Sequence, residues 1–216
     1  MLLEKERIDI VETCKKLVNH NLTVGTGGNV SIYNREQNLI AISPSGVDYF
    51  AAKPEDVVIM DMDGNCIDSI RKPSSEWGMH KIFYDRREDI NAVVHTHSTY
   101  CTAIATLRQS LPASNYLVAF SGYDVRCAQY QTFGTQELAE SAFEAMQDRR
   151  AVLLANHGLL TGSGTLDAAF QIAEEIEHCA KIHCIASSFG TPVILDRNEM
   201  TLMQEKFKTY GQPPKR

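Results

Sequence analysis

Apolar residues recur at helical spacing in several stretches of the chain, with polar residues between them. In the first stretch, Ile8, Val11, Cys14, Leu17 and Val18 fall on one face of a helix. Similar patterns elsewhere begin at Ser, Thr or Asn residues, which favour helix N-termini, and one long pattern stops at a Gly. The predicted helices span residues 4–20, 74–86, 98–107, 135–148, 165–188 and 198–210, the second with Ser74 or Ser75 as its N-cap.

Short runs rich in β-branched and aromatic residues lie between these helices and predict strands. Two of the runs, 91–97 and 150–156, are strongly apolar, whereas 116–120 and 125–129 are weakly marked. The turn Asp63-Gly64-Asn65 predicts a hairpin that leads into one further short strand. The remaining predicted strands span residues 29–33, 39–43 and 57–61.

The order of these elements predicts the class of fold. The first strands are joined by short turns, which a strictly parallel, doubly wound sheet does not allow. A three-layer α/β/α arrangement with a central mixed, largely antiparallel sheet is therefore expected, with helices on both faces. No linker-like tract, low-complexity segment or internal repeat interrupts the 216 residues, so one domain over 1–216 is predicted.

Composition and charge exclude several functional classes. The net charge is −6 and there is no basic stripe, so nucleic acid is not an expected partner. The N-terminus is charged from its fourth residue and no apolar run approaches the length of a membrane span, so a cytoplasmic protein without membrane association is expected. The six cysteines are scattered without a C-x-x-C pair and are expected to be reduced thiols.

Three histidines carry the strongest chemical signal. His95 and His97 form a His-x-His pair in the apolar run AVVHTH, and alternate residues of a strand point to the same face. His157 follows a second apolar run, in LLANHG. A lone histidine at a strand end is more often a packing residue, but three that converge match a catalytic site for a divalent metal, with Zn²⁺ the leading candidate.

Glu76 is the favoured fourth member of this set. It lies in the first turn of a predicted helix, where a carboxylate also has an ordinary explanation through the helix dipole. Because Glu76 and His80 are four residues apart, they share a helix face and are either a structural pair or both close to the metal. Glu76 alone is preferred as a ligand, since three histidines already fill three positions.

Three segments of small, donor-rich residues predict an anion site. The loop Gly25–Asn29 has free backbone N–H groups but lacks the third glycine of a dinucleotide fingerprint. The segment Ser43–Gly46 follows a predicted strand, and Ser74 and Ser75 lie where a helix dipole favours an anion. Tight turns and helix capping explain each segment alone, but together they favour a small phosphorylated substrate.

Seven motifs of the chain resemble those of the class II sugar-phosphate aldolases, fuculose-phosphate type. They are TVGTGGNVS, SPSGVDY, KPSSEWGMH, AVVHTHSTYCTA, QTFGTQEL, LLANHGLL and EKFKTYG, which together span nearly the whole length. The resemblance implies the fold of class II aldolases and adducin. It also implies a homotetramer with active sites at the subunit interfaces.

The resemblance implies a role for each matching residue. His95, His97 and His157 are expected to bind one Zn²⁺, with Glu76 as fourth ligand and main proton-transfer group. Tyr116 is expected to be catalytic in the site of a neighbouring subunit. The substrate phosphate is expected to contact Gly28, Asn29, Ser45, Gly46, Ser74 and Ser75, and the aldehyde side to contact Phe133 and Tyr210.

The implied reaction is reversible cleavage of a ketose 1-phosphate, L-fuculose 1-phosphate above all, to dihydroxyacetone phosphate and L-lactaldehyde. The alternatives on the same scaffold are a pentulose-phosphate 4-epimerase, a methylthioribulose-phosphate dehydratase and a sugar-acid phosphate decarboxylase. The epimerase type is expected to have an Asp in the segment that reads SNYLVAF here. This segment has no Asp before Asp124, which favours the aldolase. A non-catalytic interaction scaffold is the alternative from another functional class. It would not need the metal set, whereas all four predicted ligands are present here.

The chain departs from the family pattern at one position. Many relatives have His where this chain has Asn115, which is expected to affect substrate preference rather than metal chemistry.

Overall fold

The computed structural model describes residues 1–210, which form eight β-strands and six α-helices. The strands are β1 (Asn29–Asn34), β2 (Leu39–Ile42), β3 (Val58–Asp61), β4 (Cys66–Asp68), β5 (Ala92–Thr96), β6 (Arg126–Ala128), β7 (Ala151–Leu154) and β8 (Gly158–Ser163). The helices are α1 (Glu4–Asn19), α2 (Trp77–Arg86), α3 (Thr99–Thr106), α4 (Gln136–Met146), α5 (Leu166–Phe189) and α6 (Arg197–Phe207).

All eight strands belong to one sheet, in the order β4-β3-β2-β1-β5-β8-β7-β6. Only the β6–β7 pair is parallel within the described residues, and every other neighbouring pair is antiparallel. The prediction of a mixed, largely antiparallel sheet is therefore confirmed. Strand β5 lies between β1 and β8 near the middle of the sheet, so the residues at its end are surrounded by ordered backbone on both sides.

The two faces of the sheet pack against different helices and form two separate apolar cores. Along β5, Ala92 and Val94 belong to the core that includes residues of α1, α3, α5 and α6, whereas Val93 belongs to the core under α2 and α4. In β7, Leu153 belongs to the first of these cores and Leu154 to the second. This alternation explains why the central strands are apolar throughout, since both of their faces are buried. The predicted three-layer α/β/α architecture is confirmed.

The longest helix, α5, has 24 residues and packs one face against the sheet. Its buried residues include Ile172, Ile176 and Cys179, at helical spacing, while charged residues occupy the opposite face. Neither α5 nor any other helix within residues 1–210 is long and apolar enough to span a lipid bilayer.

Some element predictions were wrong. The run 116–120, predicted as a strand, is a 3₁₀ turn (Tyr116–Phe120), because the Asn115 side chain accepts a hydrogen bond from the backbone N–H of Leu117 at 3.0 Å. Strand β8 was not predicted. The predicted N-caps at Ser74 or Ser75 and at Asn198 are also wrong, since α2 begins after Glu76 and α6 begins after Asp196.

Candidate metal centre and substrate pocket

The three predicted histidines converge at one end of β5. His95 lies in β5, His97 follows its last residue, and His157 lies in the turn between β7 and β8. The Nε2 atom of His95 is 3.0 Å from Nε2 of His97 and 3.2 Å from Nε2 of His157. Nitrogen atoms of the three rings all lie within 4.8 Å of one another, so this group is able to hold a metal ion. The convergence depends on the β5–β8 pairing, which places Leu159 opposite Thr96.

Two glycines allow the loops to approach β5 this closely. A Cβ atom on Gly28, which has φ +74°, would lie 2.6 Å from the backbone oxygen of His95. A Cβ atom on Gly158 would lie 2.2 Å from the backbone oxygen of Thr96. Any larger residue at either position would push the histidines apart, so the glycines next to the motif residues have a direct packing role.

The burial and hydrogen bonding of His95 favour metal binding. The Nδ1–H group of His95 donates to the backbone oxygen of Leu159 at 2.9 Å, which leaves the lone pair of Nε2 directed at the other two rings. His95 is fully buried, and this burial lowers its pKa well below the usual range. Burial also lowers the pKa of His97, and the neighbouring His157 adds to the shift. The neutral imidazole that results is the form that binds metals.

Glu76 completes a set of four potential ligands. Its Oε2 atom is 3.4 Å from Nε2 of His95, and its Oε1 atom is 3.5 Å from Nε2 of His157. Glu76 is buried, and Oε1 has no hydrogen-bond partner among residues 1–210. A buried carboxylate oxygen without a partner is costly, and a cation held by the histidines would remove that cost. The donor set and the unpartnered oxygen therefore fit a divalent metal.

The three donor-rich segments lie next to each other, beside Glu76. The backbone N–H of Ser74 donates to the backbone oxygen of Ser43 at 3.2 Å, and that of Ser45 donates to Lys72 at 3.0 Å. The Ser43 side chain accepts from the backbone N–H of Val30 at 3.1 Å, just after the glycine loop. Ser45, Gly46 and Ser75 are exposed, so the hydroxyls of the two serines and the backbone N–H of Gly46 are available to an anion.

Asn29 and Ser74 make hydrogen bonds within the protein. The Nδ2 atom of Asn29 donates to Oε2 of Glu76 at 2.9 Å, and the Oδ1 atom of Asn29 is 2.5 Å from Nε2 of His80. The Ser74 hydroxyl accepts from the backbone N–H of Glu76 at 3.3 Å. Asn29 therefore joins the glycine loop to the Glu76 carboxylate, and Ser74 contacts the backbone of the same residue.

A cavity of about 360 Å³ opens onto the metal set. It is lined by Glu76, His97, Tyr130, Gln131, Phe133, Asn156 and His157. Phe133 is thus next to the metal set, and its predicted contact with the aldehyde half stays a prediction. Tyr130, Gln131 and Asn156 were not singled out from the sequence, although each is next to or inside a motif that was. Asn156 has φ +54°, and its Oδ1 atom accepts from Nε of Arg108 at 3.0 Å, so Arg108 helps to fix this lining residue.

Tyr116 and Tyr210 lie in a separate aromatic cluster, which also contains Phe120 and Phe207. The Phe120 and Phe207 rings stack at 4.2 Å between centroids, and the rings of Tyr116 and Tyr210 lie 6.2 and 6.1 Å from that of Phe207. Both tyrosines are exposed, and neither lines the cavity within the described part of the chain. Their predicted part in the reaction therefore stays a prediction that depends on a second subunit.

The comparisons with known proteins agree with this geometry. Residues 8–184 match the family described as Class II Aldolase and Adducin N-terminal domain. A 5-deoxy-D-ribulose 1-phosphate aldolase of Bacillus thuringiensis serovar kurstaki is 58% identical over 98% of this chain and 100% of its own length. An L-fuculose phosphate aldolase of Escherichia coli K12 is 39% identical over 94% of each chain. A solved structure of an L-fuculose 1-phosphate aldolase superposes with a TM-score of 0.93 at 54% identity, over 94% of this chain and 96% of that one.

The chain belongs to the class II aldolase and adducin family. Within it, the chain is a class II aldolase, and so a lyase. The resemblance to this family that the sequence motifs indicated is confirmed.

Proposed function

We propose that this protein is a Zn²⁺-dependent aldolase that cleaves a ketose 1-phosphate to dihydroxyacetone phosphate and a short aldehyde. One observation carries the proposal. The buried Glu76 carboxylate lies beside three converging imidazoles and accepts a hydrogen bond from the Asn29 amide, while the backbone N–H of Glu76 donates to Ser74. A reacting carbon next to a phosphate-bearing carbon would therefore lie between the metal set and the anion site.

His95, His97, His157 and Glu76 would hold the metal. When bound, a divalent cation supplies Lewis-acid stabilisation of the negative charge that builds up on oxygen as the carbon–carbon bond breaks. In the synthetic direction the Glu76 carboxylate would remove a proton from the hydroxyl-bearing carbon of dihydroxyacetone phosphate, and in cleavage the protonated carboxyl would return that proton to the same carbon. The unpartnered Oε1 atom of Glu76 supports this role, because the protein itself offers that oxygen no competing hydrogen bond.

The phosphate would bind at Gly28, Asn29, Ser45, Gly46, Ser74 and Ser75. The hydroxyls of Ser45, Ser74 and Ser75 and the backbone N–H groups of Gly28, Gly46 and Ser75 suit a phosphomonoester. Gly28 and Gly46 have positive φ angles of 74° and 67° that turn the backbone toward such a ligand. On the far side of the metal set, Tyr130 and Phe133 offer an aromatic surface to the carbon chain of the aldehyde half.

The preferred substrate that we propose is 5-deoxy-D-ribulose 1-phosphate, which gives acetaldehyde as the second product. The 58% identity over 98% of the chain to an aldolase of that name supports this choice. L-Fuculose 1-phosphate, which the motifs implied, is the second candidate and is supported by the solved aldolase at 54% identity. The two substrates differ by one hydroxyl-bearing carbon in the aldehyde half, so the pocket near Phe133 decides between them.

The test compares both ketose 1-phosphates and their unphosphorylated forms on the purified protein. The readout is release of dihydroxyacetone phosphate from the phosphates and of dihydroxyacetone from the unphosphorylated forms. We expect both phosphates to be cleaved, with kcat/KM at least about tenfold higher for 5-deoxy-D-ribulose 1-phosphate, since one carbon unit more or less against the aromatic side of a pocket changes specificity by about that much or more. Higher kcat/KM for L-fuculose 1-phosphate would instead favour the second candidate. Equal cleavage of the unphosphorylated sugars would contradict the phosphate site, and no release from either phosphate would contradict the aldolase.

A homotetramer with Tyr116 acting in a neighbouring subunit's site is the second part of the proposal. Tyr116 is about half exposed and lies in the aromatic cluster outside the cavity, as a residue that reaches another subunit would. In that position its hydroxyl would exchange a proton with the substrate oxygen that becomes the aldehyde. No single subunit would then hold all the catalytic groups.

Mixing two inactive variants tests this shared site. Tyr116→Phe and His97→Ala are each expected to be nearly inactive alone. When their subunits exchange, some sites should combine an intact metal set with an intact tyrosine, and part of the activity should return. Mixed oligomers that are demonstrated by mass spectrometry but remain inactive would place Tyr116 in its own subunit's site or outside the chemistry.

A further inference from the structure

A hydrogen-bonded series of buried polar side chains begins at Asn29, which donates to the Glu76 carboxylate. From Asn29 it continues to His80, then to Ser31 and finally to Tyr84. The Oγ atom of Ser31 is 2.7 Å from Nδ1 of His80 and 2.5 Å from the hydroxyl oxygen of Tyr84. His80 and Ser31 have no exposed surface, and Asn29 and Tyr84 are at most 4% exposed. None of these side chains lines the cavity, and His80, Ser31 and Tyr84 are also outside the proposed phosphate site.

The direction of every hydrogen bond in this series of side chains follows from the chemistry of the groups, beginning at the Glu76 carboxylate. A carboxylate that binds a metal only accepts, so the Asn29 amide must direct Nδ2 toward Glu76 and Oδ1 toward His80. Nε2 of His80 must therefore carry the proton and donate. Burial lowers the pKa of His80 to about 3, so the ring is neutral and its Nδ1 accepts from Ser31. The Tyr84 hydroxyl then donates to Ser31, and each donor has one acceptor.

Two regular spacings in the sequence bring these polar side chains together. Glu76 at the N-cap of α2 and His80 and Tyr84 within α2 are four residues apart, and therefore share one helix face. Asn29 and Ser31 are spaced by two residues in β1 and share the face of the sheet that α2 covers. Asn29 also pairs with His95 across β1 and β5, so the hydrogen-bonded series and the metal set have a common backbone support.

We propose that His80 is a positioning residue, which orients the Asn29 amide and thereby holds Glu76 in the conformation that faces the metal. Without the proton on Nε2 of His80, the amide is free to rotate and present Oδ1 to the carboxylate, which repels it. Glu76 would then lose the donor that directs Oε2 toward His95. The inference relies on the proposed metal site, but not on which sugar phosphate is cleaved.

The test measures Zn²⁺ affinity of the purified protein by competition with a chelator, together with kcat and KM. His80→Phe removes both hydrogen bonds and keeps a ring, and we expect it to weaken Zn²⁺ binding by roughly 10- to 100-fold, as loss of a group that supports a ligand does. We expect kcat to fall while KM changes little. His80→Gln keeps a side-chain N–H that can donate to Asn29 and is expected to recover part of both losses.

Two further variants keep the test decisive if His80→Phe does not fold. Ser31→Ala removes the donor to Nδ1, which lets His80 adopt the other tautomer, so a smaller loss of Zn²⁺ affinity in the same direction is expected. Tyr33→Phe is the matched control. The rings of Tyr33 and Tyr84 stack with their centroids 5.2 Å apart. The Tyr33 hydroxyl donates to the side chain of Asn38, which is not part of the hydrogen-bonded series.

The outcomes separate this inference from the proposed function. Absence of Zn²⁺ binding by the wild-type protein would contradict the proposed function. Normal Zn²⁺ binding by the wild type, with unchanged affinity and kcat in folded His80→Phe and in Ser31→Ala, would overturn the role of His80 alone. An equal loss in His80→Phe and His80→Gln would also overturn it, because shape rather than the hydrogen bond to Asn29 would then be responsible.

Discussion

Replacement of His97 by Ala is expected to remove the bound metal and reduce turnover to background. His97 contributes one of three ring nitrogens that lie within 4.8 Å of one another, and its loss leaves only two imidazoles and Glu76. A metal that acts as a Lewis acid contributes several kcal/mol to the transition state, and about 1.4 kcal/mol is a tenfold change in rate, so the loss should be on the order of 10³-fold or more. Metal content by elemental analysis and release of dihydroxyacetone phosphate give the two readouts.

The fold should survive this change, because the His97 side chain is more open to solvent than the fully buried His95. His178→Ala is the matched control, since His178 is an exposed histidine on α5 and has no place in the metal set. It should keep both metal and activity. A His97→Ala protein that remains active at the wild-type rate would remove His97 from the chemistry.

Replacement of Glu76 by Gln is the second large effect that we expect. The change keeps the size of the side chain and an oxygen that can contact the metal, so part of the metal should be retained. The amide cannot carry a proton as the carboxylate does, and turnover should therefore fall on the order of 10²-fold or more. The measurement is kcat for release of dihydroxyacetone phosphate, normalised to bound metal.

The control for this variant is Glu137→Gln, the same substitution in the first turn of α4, where the side chain is exposed. It should have wild-type kcat. If Glu76→Gln also turns over at the wild-type rate per bound metal, Glu76 does not transfer the proton, and its carboxylate at the start of α2 has only a structural or dipole role.

The parts of the site that local sequence patterns describe were predictable. His95 and His97 project together because a strand alternates faces, and the glycine- and serine-rich segments mark tight turns with free donors. The structure brings these segments to one place through strand pairing, Asn29 beside His95 and Leu159 beside Thr96. For the sheet and layers, the short turns between early strands were sufficient to predict a largely antiparallel arrangement.

Other parts depend on packing that a single sequence does not reveal. Strand β8 reads GLLTGS, and its small and polar residues are typical of a loop, yet it is buried because it lies between β5 and β7. The run YLVAF is apolar because it packs against α5 and α6 (Val118 and Ala119 are buried), and a short apolar run does not distinguish a strand from a turn.

The hydrogen-bonded series that begins at Asn29 was also beyond the reach of sequence patterns. Glu76 and His80 were recognised as sharing a helix face, but whether His80 served the metal or a structural pair was open. The answer depends on the register between α2 and β1, which places Asn29 between the two side chains and Ser31 beyond them. That register is a property of the packed layers rather than of either segment alone.

The most direct measurement of the central claim follows activity as metal is removed and restored. The purified protein is stripped with a chelator, and Zn²⁺ is then added back in steps while bound metal and release of dihydroxyacetone phosphate from 5-deoxy-D-ribulose 1-phosphate are measured on the same samples. The proposed site predicts that activity disappears with the metal and returns in proportion to bound Zn²⁺, up to about one ion per chain. Full activity in protein shown to be free of metal would contradict a reaction that depends on His95, His97, His157 and Glu76 as metal ligands.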